Sequence, residues 1–163
     1  MGVIMNFEVI HGDLLEQDVD VIVNAWNRNI IPWWLLIPQG VSGAIKRKAG
    51  YKPFLELPSF KSIPLGEAVL TSAGTLPYKA IIHVAGINLF WRSSEYSITN
   101  SIKNAVKMAL ENGYTSMAIP IIGAGSGGYS EEKALAIIKN TLSHLNEHLD
   151  GELKIKVIRY QKR

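Results

Sequence analysis

The sequence predicts an α/β fold built on a mixed, mostly parallel sheet with helices on both faces. In the second half of the chain, strand patterns alternate with helix patterns, which is typical of parallel strands joined by helical crossovers. The first half carries strand patterns without a helix between them, which indicates a mixed sheet. An apolar content of 47% and a mean hydropathy of +0.10 indicate a compact core.

Six short apolar segments have the composition of β-strands. The run Val21-Ile22-Val23 is continuous and branched, as in strands that are buried on both faces. The segment 80–84 follows a turn at 74–77, so we expect it to pair antiparallel with the strand before that turn. The predicted strands are 6–11, 19–23, 67–72, 80–84, 116–122 and 153–160.

Three segments predict helices, from apolar residues at helical spacing and from signals at their ends. Ser42 and Ser130 are suited to cap the first and the third helix. Gly50, Gly113 and Gly151 are suited to end the three helices, because glycine readily adopts the left-handed conformation found there. The predicted helices are 42–49, 98–112 and 131–150.

The composition limits the class of protein. A chain of 163 residues without a linker or a repeat predicts one domain, 1–163. The net charge of +3 suits a small anionic ligand as well as a nucleic acid. The absence of cysteine excludes disulfides and the usual zinc sites, and neither a signal peptide nor a membrane-spanning run is found. We therefore expect a cytoplasmic protein without a membrane partner.

A candidate binding site follows the strand 19–23. Asn24 and Asn27 come directly after that strand, and a helix opens after Gly40 and Val41. Polar side chains at the carboxyl end of a strand, facing a helix N-terminus, are where open α/β sheets bind phosphorylated ligands. The pattern therefore favours a phosphate-containing ligand.

Four further features carry weaker signals. The glycine-rich run 123–128 lies between a strand and a capped helix, and either cradles a diphosphate or simply turns the chain. Asp13 either accepts from an exocyclic amine or caps a turn. His83 lies in the middle of a strand, where a histidine is more often a core residue than a catalyst. Tyr160 either stacks on a base or closes the edge of the core.

The order and spacing of these segments resemble the macro domain family, the ADP-ribose-binding modules. The resemblance covers roughly residues 7 to 160, and it implies a three-layer α/β/α sandwich with ADP-ribose in a cleft at the carboxyl ends of the strands. The segments that carry it are Gly12-Asp13, 21–27, Gly40-Val41-Ser42-Gly43-Ala44-Ile45 with Ala49-Gly50, Gly66-Glu67-Ala68, Leu76-Pro77 with Ile81-Ile82-His83, and 120–129.

The resemblance also implies roles for individual residues. Asp13 would hold the adenine amino group, Leu14 would offer its backbone amide to the ring, and Tyr160 would stack on adenine. Asn27 would bind the distal ribose, and Asn24 would brace the ligand loops. The resemblance implies no cofactor and no metal. Two phosphate loops complete the expected site: Val41, Ser42 and Gly43 in the first, and Gly123, Ala124, Gly125, Ser126, Gly127, Gly128 and Tyr129 in the second.

The chain departs from the family pattern at the catalytic loop. Ser42 stands where active hydrolases of the family carry an Asp that positions or activates water, and a neutral serine is no general base near pH 7 without a partner. Gly127 replaces an aromatic residue that often covers the distal ribose. Trp33 and Trp34 lie in an insert where glycines are expected. Four roles are open to these two residues: a lid over the distal ribose, a stacking surface for a nucleobase of a polymer, an anchor of a dimer, or a cover for a sheet edge.

Three functions are consistent with this pattern. The first is an enzyme that hydrolyses an ADP-ribosyl linkage or ester, including ADP-ribose 1″-phosphate processing, with Asn27 and Ser42 as the candidate catalytic residues. The second is a module that reads ADP-ribose or ADP-ribosylated proteins and nucleic acids without turnover, which the Ser42 substitution favours. The third is an RNA- or polynucleotide-binding domain that uses Trp33, Trp34 and the basic C-terminal segment. The oligomeric state is left open.

Overall fold

The computed structural model describes residues 4–27, 40–50, 52–57, 64–87, 93–124, 128–149 and 151–160. Within these ranges six strands form one sheet in the order β1-β6-β5-β2-β4-β3. All neighbours are parallel except β3 and β4, which pair antiparallel as the sequence predicts. The strands are β1 (Ile4–Gly12), β2 (Val21–Asn27), β3 (Ala68–Thr71), β4 (Ala80–Ile87), β5 (Ser116–Pro120) and β6 (Glu152–Tyr160).

Among the described residues, four helices cover the two faces of this sheet. A short 3₁₀ turn (Leu14–Glu16) follows β1. In the described part of the chain, no helix combines the length and the apolar composition needed to cross a bilayer. The helices are α1 (Gly40–Ala49), α2 (Lys52–Leu55), α3 (Glu95–Glu111) and α4 (Glu131–Leu145).

Alternation along the strands divides the apolar residues between two cores. Val21 and Val23 point to the face covered by α3 and α4, whereas Ile22 points to the face covered by α1 and α2. The side chains of Ile45 on α1 and Phe54 on α2 are completely buried in the second core. Helices therefore cover both faces of the sheet, as strands buried on both faces require. This confirms the expected three-layer α/β/α arrangement.

Several element boundaries differ from the sequence prediction. β2 continues to Asn27, so Asn24 lies inside the strand rather than after it. α1 begins at Gly40, which places Ser42 in its first turn instead of at the N-cap. α3 begins three residues earlier than predicted, after a capping box formed by Ser94 and Ser97. α4 ends at Leu145, five residues before the predicted end, and α2 was not predicted.

A buried polar chain joins β2, β4 and β3. Thr71 Oγ1 lies 3.0 Å from the carbonyl oxygen of Ser72 and donates to it, so it accepts from Nε2 of His83 at 2.8 Å. Nδ1 of His83 then accepts from the side-chain amide of Asn24 at 3.0 Å. Both His83 and Asn24 are fully buried, and the Phe54 ring packs edge-on against the imidazole at 5.8 Å between centroids. Burial lowers the pKa of His83 to about 3, so the imidazole is neutral at physiological pH.

This buried histidine predicts a specific loss of stability in acid. The unfolded chain, with an ordinary histidine pKa of 6.5, binds one more proton than the folded chain between that pH and about 3. Stability is therefore lost as the pH falls through this window, by up to about 1.4 kcal/mol per pH unit. In urea titrations from pH 7 to pH 4, His83→Gln is expected to lack this component of the slope. His11→Gln, at an exposed histidine, is the matched control and is expected to keep it; equal slopes in wild type and His83→Gln would contradict the assignment.

Candidate functional site

A cavity of about 430 Å³ opens where β1, β5 and β6 end. Parallel strands bring their carboxyl ends to one edge of the sheet, and α1 forms the opposite wall. The cavity combines an apolar floor with one carboxylate, one guanidinium and one phenol. Its lining residues are Asp13, Leu14, Leu15, Ala44, Arg47, Pro120, Ile158 and Tyr160.

Asp13 is fixed at the mouth of this cavity by the turn that follows β1. Its Oδ1 accepts from the backbone N–H of Leu15 at 2.9 Å, which caps the 3₁₀ turn. Its carbonyl oxygen accepts from the side-chain amide of Gln17 at 2.8 Å. Its second carboxylate oxygen, Oδ2, accepts no hydrogen bond from the described residues. Asp13 therefore caps a turn and also presents an acceptor at the cavity, so the two readings of this residue are compatible.

Leu14 is held under the cavity by a buried tyrosine. The hydroxyl of Tyr78 donates to the carbonyl oxygen of Leu14 at 3.3 Å, and both side chains are buried. Burial raises the pKa of Tyr78, so its hydroxyl remains a donor at neutral pH. This contact fixes the backbone at the floor of the cavity.

Tyr160 and Arg47 are the exposed side chains at the rim. Tyr160 ends β6 beside Gly12 and is 71% exposed, which is unusual for so large an aromatic side chain. Arg47 lies on α1 one turn after Ala44 and is also exposed. An exposed aromatic ring and a cation beside an apolar cavity suit a planar, electron-rich ligand group.

The N-terminus of α1 is the first of two candidate backbone sites for an anion. Because α1 begins at Gly40, the amides of residues 40–43 have no acceptor within the helix. The first turn contains no acidic residue, so nothing in it opposes the positive end of the helix dipole. Val41, Ser42 and Gly43 lie in this turn, and the side chains of Val41 and Ser42 are not among those described.

The loop after β5 is the second. The backbone N–H of Tyr129 donates to the carbonyl oxygen of Gly123 at 3.1 Å, and Ala124 bridges to the same tyrosine, so the ends of the loop are held together. Gly123 and Gly128 have φ values of +96° and +83°. These left-handed conformations favour glycine. Gly125, Ser126 and Gly127 lie outside the described residues.

An ion-pair fork fixes the helix that leaves this loop. Arg159 on β6 donates from Nε to Glu131 and from Nη2 to Glu132, both at 2.7 Å. The two carboxylates lie in the first turn of α4, which follows its cap Ser130. Arg159 therefore joins the start of α4 to the strand that carries Tyr160, and it offsets two negative charges beside the glycine loop.

The structure brings some of the predicted site residues together and separates others. Asp13, Leu14 and Tyr160 line one cavity. Asn24 is fully buried and donates to His83, so it braces the sheet instead of lining that cavity. Asn27 is the last residue of β2, and its side chain is not described. Trp33 and Trp34 lie outside the described residues.

Five lining residues were not predicted from the sequence. One of them carried a usable signal, because Ile158 precedes Tyr160 by two positions on the same strand. The others became recognisable only once the strand order was known. The unpredicted residues are Leu15, Ala44, Arg47, Pro120 and Ile158.

Comparisons with known proteins match most of the chain. The sequence profile of the macro domain family matches residues 23–138. A Citrobacter rodentium protein named O-acetyl-ADP-ribose deacetylase is 39% identical over 143 residues, covering 83% of this chain and 77% of its own. An Oceanobacillus iheyensis macrodomain solved with ADP is 27% identical, with a TM-score of 0.78 over 96% of this chain and 84% of its own. A Trypanosoma brucei macrodomain in complex with ADP is 25% identical, with a TM-score of 0.81 over 96% of this chain and 64% of its own.

Two glycines of the same loop give a matched test of the packing at this site. An added Cβ at Gly123 would lie 2.5 Å from Cδ1 and 2.9 Å from Cγ1 of the buried Ile98, whereas an added Cβ at Gly128 meets nothing within 4 Å. Both substitutions incur left-handed strain. Gly123→Ala is therefore expected to lower the free energy of unfolding by about 1–3 kcal/mol more than Gly128→Ala in urea denaturation.

A double-mutant cycle separates the steric clash from the backbone strain. Ile98→Val removes the nearest atom, Cδ1, so Gly123→Ala is expected to cost less in that background than in the wild type. Equal costs for Gly123→Ala in both backgrounds would show that Ile98 does not set the requirement for glycine.

Proposed function

Because this chain belongs to the macro domain family, we propose that it binds ADP-ribose or an ADP-ribosyl derivative in the cleft at the carboxyl ends of its strands and hydrolyses an ester of that ligand. One observation carries the binding half: the cavity at this edge joins Asp13, Tyr160 and an apolar floor within reach of two backbone anion sites. Each part suits one part of a nucleoside diphosphate sugar.

At the adenine end, recognition rests on an acceptor and a stacking surface. Oδ2 of Asp13 accepts from the exocyclic amine, while Oδ1 remains bound to Leu15 and keeps the carboxylate oriented. Tyr160 stacks on the ring, a contact that is typically worth about 1–3 kcal/mol. The guanidinium of Arg47 adds a cation at the same rim.

At the diphosphate, backbone amides supply most of the favourable contacts. The amides at the start of α1 and those of the glycine loop 123–128 face negative charge without requiring a lysine or arginine. The modest net charge of +3 agrees with this mode of binding. Arg159 supports it indirectly, because two carboxylates at the start of α4 would otherwise repel the diphosphate.

The reaction we propose is hydrolysis of an acetyl ester of ADP-ribose. Relatives 36–40% identical to this chain are named O-acetyl-ADP-ribose deacetylases, which supports this substrate class. Water adds to the acetyl carbonyl carbon, and the bond between that carbon and the ribose oxygen breaks. One proton of the water passes to the ribose oxygen and the other to solvent, so ADP-ribose and acetate leave. Asn27 holds the distal ribose, a phosphate oxygen of the ligand positions the water, and backbone amides stabilise the developing oxyanion.

The alternative function is a reader that binds ADP-ribose without turnover. Ser42 favours it, because the Asp that serves the family's active hydrolases is missing from this position. An RNA-binding function rests on Trp33, Trp34 and the basic C-terminal segment, and in that segment Arg159 is bound to Glu131 and Glu132. ADP-ribosylated proteins or nucleic acids as partners, ADP-ribose 1″-phosphate processing, a cytoplasmic location and a single domain over 1–163 stay predictions.

Calorimetric titration with ADP-ribose tests the binding half of the proposal. Tyr160→Ala is expected to weaken binding about tenfold or more through loss of stacking. Tyr96→Ala is the matched control, since Tyr96 is an exposed tyrosine on α3 that does not line the cavity. Asp13→Asn should weaken binding while Asp18→Asn should not. Absence of binding by the wild type, or equal losses in each variant and its control, would refute the cleft assignment.

Turnover of O-acetyl-ADP-ribose, followed by mass spectrometry, tests the catalytic half. Asn27→Ala is expected to lower kcat more than it weakens ADP-ribose binding. Ser42→Asp restores the carboxylate that resembles the family pattern, and it is expected to raise kcat by up to about a hundredfold. Ser42→Asn, which is close in size but uncharged, is the control and should give no such gain. Binding without detectable release by the wild type would establish the reader function instead.

A further inference from the structure

The C-terminal end of α4 carries a cluster of ligand-type side chains that the proposed function does not use. His144, Glu147 and His148 each offer one ligand atom, and these atoms all lie within 4.8 Å of one another. Nδ1 of His144 is 4.0 Å from Oε2 of Glu147, and the two imidazole rings are 4.6 Å apart between centroids. All three side chains are exposed.

The backbone brings these donors to one side of the chain. α4 ends at Leu145, and the next residues turn tightly: the N–H of Glu147 donates to His144 at 3.1 Å, and that of His148 donates to Leu145 at 3.0 Å. Residues at positions i, i+3 and i+4 therefore face the same side. Only side-chain rotation is needed to shorten the separations between donor atoms.

We propose that His144, Glu147 and His148 bind one divalent late first-row transition metal ion, with Zn²⁺ as the probe. Two imidazole nitrogens and one carboxylate oxygen are a donor set that zinc accepts, with water in the remaining position. Exposed side chains can rotate to the metal–ligand distances of about 2.0–2.2 Å that such a site requires. The carbonyl end of α4 carries partial negative charge, which favours a cation there.

The metal site is separate from the proposed ligand cleft. α4 contains 15 residues, so its C-terminal end lies about 22 Å from the turn that follows the glycine loop. An ion bound here links the last turn of α4 to the segment that leads into β6, and it stabilises that connection. The inference therefore does not depend on ADP-ribose binding.

The test is calorimetry with ZnCl₂ on the full chain, freed of metal by a chelator. The expected stoichiometry is one Zn²⁺ per chain. His144→Ala, His148→Ala and Glu147→Gln are each expected to weaken binding about tenfold or more. His11→Ala, at an exposed histidine on β1, is the matched control and is expected to bind as the wild type does. Three results would overturn the proposal: no binding at millimolar Zn²⁺, undiminished binding by the His144→Ala/His148→Ala double variant, or one ion per two chains.

Thermal unfolding gives a second readout. Saturating Zn²⁺ is expected to raise the Tm of the wild type and to leave that of the double variant unchanged. An equal shift in both proteins would place the ion elsewhere and overturn the assignment. The affinity for ADP-ribose, measured with and without Zn²⁺, is expected to stay the same, so failure of the ligand proposal and failure of the metal proposal give different results.

Discussion

The parallel alignment of five strands is the constraint on which the rest of the structure depends. It gathers the carboxyl ends of β1, β2, β4, β5 and β6 at one edge and forces each crossover to travel back over a face of the sheet. At the amino ends of the strands, Asp20 accepts from the backbone N–H and the hydroxyl of Thr115 and pairs with Lys79 at 3.1 Å. These contacts, the backbone bond foremost, lower the pKa of Asp20. Side-chain contacts thus join the amino ends of the strands, whereas loops that can bind a ligand follow the carboxyl ends.

The layered architecture could be predicted from the sequence because apolar periodicity reports burial directly. The predicted ends of the elements were wrong mainly where a polar residue is buried. Asn24 seemed to mark the end of β2, but its amide is bound to His83 inside the sheet, and the strand continues. The cap of α3 was missed because its box uses Ser97 where a glutamate or glutamine is the usual signal. The turn after Leu145 interrupts an apolar stripe that continues in sequence to Leu149.

The candidate site was partly predictable for a different reason. Asp13 and Tyr160 could be expected at the cavity from the family resemblance, because Asp13 stands in an ordered motif and Tyr160 matches the place where the family stacks an aromatic residue. Arg47 could not, since its place at the cavity depends on how α1 packs over the ends of strands distant in sequence. His144 and His148 could not be recognised as a pair either. The sequence shows their spacing, but it does not show the tight turn that aligns them with Glu147.

The place of β6 in the sheet has a consequence for synthesis of the chain. β1 is an edge strand whose neighbour in the described sheet is β6, and Ile4 pairs with Glu152, almost the whole described chain away. During translation β1 emerges before β6 and has no partner in the described sheet until β6 leaves the ribosome, so its edge stays unpaired while all the residues between them are made. Ile158 and Tyr160 lie on that same late strand. A chain truncated before β6 lacks the partner of β1 and one wall of the cavity. A ligand in this cavity can therefore stabilise the fold only after β6 has been translated.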